Sequence, residues 1–151
     1  MIGNRPRGVC CHEAGHAVVA WSFGLPVEAI YVIFDDVKGW YGGTNIPAKS
    51  DVDLPLMDQL TSLAAGRISE GVFDCTAHET AWLQDLGQIY ERLSANNVPE
   101  GEHWAHIKAA CDRARPILET HRDKALKLVE RLVNTGWVKR SEFLRIMIGE
   151  A

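Results

Sequence analysis

Residues 8–21 read GVCCHEAGHAVVAW: two histidines four positions apart, a glutamate directly after the first, and small or apolar residues almost everywhere else. Read as a helix, the stretch puts His12 and His16 about one turn apart on one face, where both imidazoles can reach a single ion. Read without an ion, that face also carries Val9, Val19 and Phe23, and the histidines are core residues satisfied by hydrogen bonds. Ala14 and Gly15 are small enough to let a second element approach closely, which offsets the roughly 1 kcal/mol that a glycine costs a helix. Pro6 suits a first helical turn, and Gly24 ahead of Pro26 marks the stop.

Outward from this helix, VEAIYVIF (27–34) is β-branched and aromatic and predicts a strand. DDVKG (35–39) predicts a turn, and WYGGTNI (40–46) a second strand weakened by its glycine pair. LPLMDQLTSLAAGRISEGVF (54–73) then repeats Leu56, Leu60, Leu63, Ala64 and Ile68 at helical spacing. Thr76 with Glu79 three later predicts a capping box opening a helix that runs to about Ala95. NNVPEG (96–101) breaks the chain, and a long helical region follows from about Glu102 to Asn134, kinked or divided by Pro116. Gly136 ends it, and KRSEFLRIMI (139–148) predicts a short last helix. The fold class expected is mainly α, one domain over residues 1–151, with a small β hairpin or sheet inserted after the first helix.

At 151 residues the chain can bury a real core. A formal charge of −4 gives no reason to expect nucleic acid or anionic membrane as a partner. The longest apolar runs, AVVAW (17–21) and AIYVIF (29–34), are too short to cross a bilayer. No charged-then-apolar leader precedes the first helix, so the expectation is a soluble, cytoplasmic protein without a membrane span. The four cysteines form no CxxC pair and predict buried or free thiols in a reducing compartment.

The HExxH pattern carries chemistry when a third ligand completes it. Zinc in hydrolases takes three protein ligands and keeps a position open for water, whose pKa it lowers to roughly 7. Glu13 is then placed to take the proton as general base. In TAHETAWLQDLGQIYERL (76–93), Trp82, Leu86, Ile89 and Leu93 form an apolar stripe with Asp85 lying against it, and a carboxylate there needs a partner. A His, His, Asp set around zinc supplies one; a salt bridge to Arg67, or the edge of a solvated face, is the alternative. Glu79 is accounted for by capping. His78, seven before Asp85, is a candidate substrate-side or spare ligand, or a surface residue near a helix start. Glu70 is a candidate acceptor for the other ring nitrogen of a ligand histidine, or a surface charge.

HEAGHAVVAW (12–21), AAGRISEGVF (64–73), LQDLGQI (83–89) and ILETHRDKALKLVERLV (117–133), taken in this order, resemble the peptidase domain of the FtsH-type AAA+ zinc proteases over about residues 9–147. The resemblance implies His12, His16 and Asp85 as ligands of one Zn2+ per chain, Glu13 as catalytic base, and a largely helical domain with a small β element. It also implies an edge strand beside the metal that pairs with substrate backbone. GWYGGTNIP (39–47) resembles that strand, which makes Gly42, Gly43 and Thr44 candidates for substrate pairing; a purely structural hairpin is the alternative. Two departures touch the surroundings of the site: Gln84 where the family has Asn, and Gly71 where it has a second acid. The sequence also contains no G-x-x-x-x-G-K-[ST] loop and no transmembrane helix. Partners are therefore expected to be a polypeptide substrate together with a separate ATPase or further copies of the chain.

The function expected is a zinc-dependent metalloendopeptidase acting on extended or unstructured polypeptide, ATP-independent on its own. The competing expectation is a catalytically silent peptide-binding or regulatory module with the same fold and metal site. Two histidines and a carboxylate also make the facial triad of iron(II) oxygenases, but the Glu of HExxH points to zinc. A cysteine hydrolase built on Cys10 or Cys11 leaves Glu13 and Asp85 without a role.

Overall fold

Helix α1 (Arg7–Ser22) is buried from Gly8 to Gly15 and again from Ala17 to Ala20. A helix that is small or apolar all round has no face for solvent and must be enclosed by other elements. Accordingly α1 is central and touches two strands and three helices. The computed structural model describes residues 5–47, 50–77 and 79–149, and among these it is mainly helical with one small antiparallel sheet. Gly24, at φ +81°, turns the chain out of α1.

Strand β1 (Ala29–Asp35) runs into β2 (Gly39–Asn45), in register from Ala29 opposite Asn45 to Asp35 opposite Gly39. The turn is closed by Asp35, whose Oδ1 accepts the Val37 and Lys38 N–H groups at 2.8 and 2.9 Å. A third strand, β3 (Trp137–Lys139), pairs with the other side of β1, Val138 opposite Ile30. The sheet order β2-β1-β3 leaves β2 at an edge. Three residues are too few for alternation to show in a sequence, so β3 was not foreseen. It forms because Gly136, at φ +74°, turns the chain after the preceding helix and its carbonyl accepts the Val32 N–H at 2.9 Å.

Helix α2 (Leu56–Val72) lies directly against α1. A Cβ on Gly15 would run into Ser69 and the Ala65 carbonyl, so the glycine permits the contact, as its place in the motif predicts. Helices α3 (Glu79–Ala95) and α4 (His103–Thr120) both pack on α2, and α4 also reaches α1. Where α2, α3 and α4 meet, Leu60, Ala64, Ile89, Leu93, Ile107 and Ala110 make a second core. Helices α5 (Arg122–Thr135) and α6 (Arg140–Ile148) complete the main core around α1 with Leu128, Leu132, Phe143 and Met147.

Three local expectations are corrected. The chain divides at His121, not at Pro116, and α4 continues four residues past the proline. Burial of Ala110, Ala114 and Leu118 along one stripe outweighs the single backbone bond that a proline removes. Ala77, which a box opened by Thr76 would make the first helical residue, is not helical, so Thr76 does not cap α3, and the Glu79 carboxylate instead faces Arg67 at 3.8 Å. Cys11 and Cys75 are joined in a disulfide, where the sequence predicts buried or free thiols. They are 64 residues apart, a separation with no local signature, and meet because the loop after α2 returns to α1. Among the described residues no helix is long and apolar enough to cross a membrane.

Candidate metal centre

Three elements supply the site: α1 brings His12, Glu13 and His16, α2 brings Glu70, and α3 brings Asp85. His12 Nε2 lies 3.1 Å from His16 Nε2 and 2.9 Å from Asp85 Oδ2, and His16 Nε2 lies 3.1 Å from the same oxygen. These three atoms form a near-equilateral triangle. His12 and Asp85 are 2 % and 8 % exposed. Arg67, the alternative partner for Asp85, is turned to Glu79 instead.

The other ring nitrogens decide what the triangle can be. His16 Nδ1 is 2.9 Å from the Ser62 carbonyl, which can only accept, so Nδ1 carries the proton. His12 Nδ1 is 2.6 Å from Glu70 Oε2 and donates to it. In the neutral rings both Nε2 atoms therefore present lone pairs, and they face a carboxylate oxygen at about 3 Å. Three acceptors cannot share that space without a cation between them. The surroundings favour one. Burial works against charge on His12, but its hydrogen bonds to Asp85 and Glu70 outweigh it and push the pKa up to about 10. Burial likewise opposes charge on His16, and the Asp85 carboxylate overcomes it and raises its pKa. For Asp85 burial raises the pKa, yet the charge of His16 and the bonds from both imidazoles hold it down to about 2. Protons or a metal ion can satisfy this set, and His12, His16 and Asp85 form a group that could hold a metal.

Glu70 has both oxygens engaged, since Oε1 accepts the Ala77 N–H at 2.8 Å. It is 3 % exposed, which removes the reading of a surface charge. Replacing it by glutamine keeps an acceptor for Ala77 but turns an NH2 toward His12 Nδ1. The ring must then move its proton to Nε2, where a lone pair is needed. Glu70→Gln is expected to weaken metal binding by about 10- to 100-fold, measured by competition with a chromophoric chelator. Unchanged affinity would show that Glu70 does not set the tautomer.

Helix α2 approaches the histidines at Gly66, a residue not singled out from the sequence. A Cβ there would lie 2.5 Å from both Nε2 atoms. A glycine in the interior of a helix is itself the available signal, because it costs stability and needs a reason. Gly71, by contrast, is exposed, and a Cβ there would meet nothing within 4 Å. Gln84 does line the cleft, beside Asp85. His78 lies outside the described residues.

Strand β2 closes the site from the other side. Gly42 lets its backbone pass beside Glu13: a Cβ there would sit 2.6 Å from Glu13 Cγ. Thr44 Oγ1 lies 2.9 Å from Glu13 Oε1 and 3.0 Å from the Glu13 carbonyl. Gly43 packs against the Tyr31 ring on the opposite face. The cleft bounded by β2 and α3 has a volume of about 820 Å³, with His12, Glu13, His16 and Asp85 in its lining. Cysteine chemistry has no place here, because Cys11 is bonded to Cys75 and burial pushes the Cys10 thiol up to about 12. No family model matches the chain, and no curated protein matches it either, so its chemistry is read from these residues.

Proposed function

We propose that the chain is a zinc-dependent metallopeptidase that hydrolyses peptide bonds in extended polypeptide. The observation that carries this reading is the convergence of His12 Nε2, His16 Nε2 and Asp85 Oδ2, with Glu13 beside them in the same cleft. Two imidazole nitrogens and one carboxylate oxygen suit zinc and leave a coordination position open. Donors about 2.0–2.1 Å from a tetrahedral zinc stand roughly 3.3 Å apart, and the observed edges of 2.9–3.1 Å are close to that. The order of motifs that resembles FtsH-type peptidases supports the same reading.

Zinc held there supplies a Lewis acid that acidifies water and polarises a carbonyl. The remaining work belongs to the chain. Glu13 belongs to no metal-binding group among the described residues, and its carboxylate is held at the cleft wall by Thr44. It takes the proton from water as it attacks and returns it to the leaving amine. Among the described residues strand β2 pairs with another strand on one side only, and its other edge can pair with an extended substrate. Main-chain pairing holds many sequences in one register.

The test uses the full chain and an unfolded, fluorescently quenched polypeptide. Cleavage is expected with one zinc per chain, is lost on chelation and is restored by zinc but not by iron(II). A chain that binds zinc stoichiometrically yet cleaves no member of a broad peptide library is instead a silent peptide-binding module.

A further inference from the structure

The contact between β2 and Glu13 has a consequence beyond packing. We infer that the Thr44 hydroxyl is a positioning group for the catalytic carboxylate, so that the strand proposed to receive substrate also sets the orientation of the base; this rests on the peptidase reading above.

A hydroxyl has one proton to donate, and Thr44 Oγ1 has two acceptors in reach, Oε1 and the main-chain carbonyl of the same Glu13. Either bond ties β2 to that one residue of α1. The bond to Oε1 leaves the other carboxylate oxygen, Oε2, to serve as the base. Gly42 lies two positions earlier on the same face of β2. Its backbone lies against the Glu13 methylene, where a Cβ would also come within 3.1 Å of Val9 Cγ1. Glu13 is thus bracketed: a methylene confined by Gly42, and a carboxylate oxygen caught by Thr44. No other hydrogen bond to the Glu13 carboxylate is found among the described residues. A glutamate without this bracket samples several rotamers, few of which reach a water placed for attack.

Thr44→Val keeps the shape and removes only the donor. The expected result is a kcat about 10- to 100-fold lower, KM within twofold, and unchanged zinc stoichiometry and melting temperature. Thr44→Ser restores the donor and is expected to recover most of the rate. In a Glu13→Gln background, Thr44→Val is expected to cause no further loss, because the two act as one unit. A fall in KM-limited binding with kcat intact, or no rescue by serine, would show that Thr44 serves only the strand. A crystal structure of Thr44→Val gives a readout independent of turnover. There the Glu13 carboxylate is expected to leave its place at the cleft wall, and a carboxylate that stays overturns the inference. Should the parent protein cleave no peptide at all, the peptidase reading falls by itself, and the position of Glu13 in that crystal still decides the role of Thr44.

Discussion

Glu13→Gln is expected to lower kcat/KM by about a thousandfold while zinc binding and folding stay as in the parent. The size follows from the proton transfer that is lost. A positioned general base contributes roughly 10²- to 10⁴-fold, and glutamine cannot take a proton at neutral pH. The selectivity follows from the geometry. Glu13 lies outside the His12, His16, Asp85 group, so its loss removes no ligand. Glutamine has nearly the same volume, and its carbonyl oxygen can still accept from Thr44, so β2 keeps its seat on α1. Zinc content by elemental analysis, melting temperature and steady-state cleavage are measured on the same sample. A variant that cleaves at the parental rate would remove Glu13 from the mechanism. A variant that loses zinc as well would make it part of the binding site.

The parts of this site that were legible in the sequence are the local ones. His12 and His16 are four apart on one helix, and helical geometry alone places their rings together. Asp85 is visible as a charge against an apolar stripe, which marks it as needing a partner but not which, and Glu70 only as a candidate acceptor for a ligand histidine or a surface charge. Each is fixed by how α2 and α3 dock on α1, and that depends on many side chains at once. The same limit explains Gly66 and Thr44. Nothing in AAGRISEG says that its glycine faces two imidazoles, and nothing in GGTN says that its hydroxyl reaches a glutamate 31 positions earlier. Secondary structure follows the same rule. The long helices were evident from periodicity, whereas β3, the break at His121 and the Cys11–Cys75 pair exist only through contacts distant in sequence.

Gly66→Ala separates the needs of the site from those of the fold. The added methyl would stand 2.5 Å from Nε2 of both His12 and His16, well inside contact distance. Moving helices α1 and α2 apart to make room would break the 2.6 Å bond from Ser69 Oγ to the Cys11 carbonyl and open a void at the Gly15 contact. The atoms that can yield are the tips of the imidazoles, which swing off the triangle. Two of the three ligand atoms are then misplaced, and metal affinity is expected to fall by on the order of a thousandfold or more. Stability responds differently. Alanine is favoured over glycine within a helix by roughly 1 kcal/mol, which works against the steric cost, so the helical spectrum and a cooperative melt are expected to persist. Gly71→Ala is the control on the same helix: no atom lies within 4 Å of its added methyl, and both metal binding and cleavage should be unaffected. Parental zinc affinity in Gly66→Ala would mean that the imidazoles do not converge beneath α2, and the proposed metal centre would have to be abandoned.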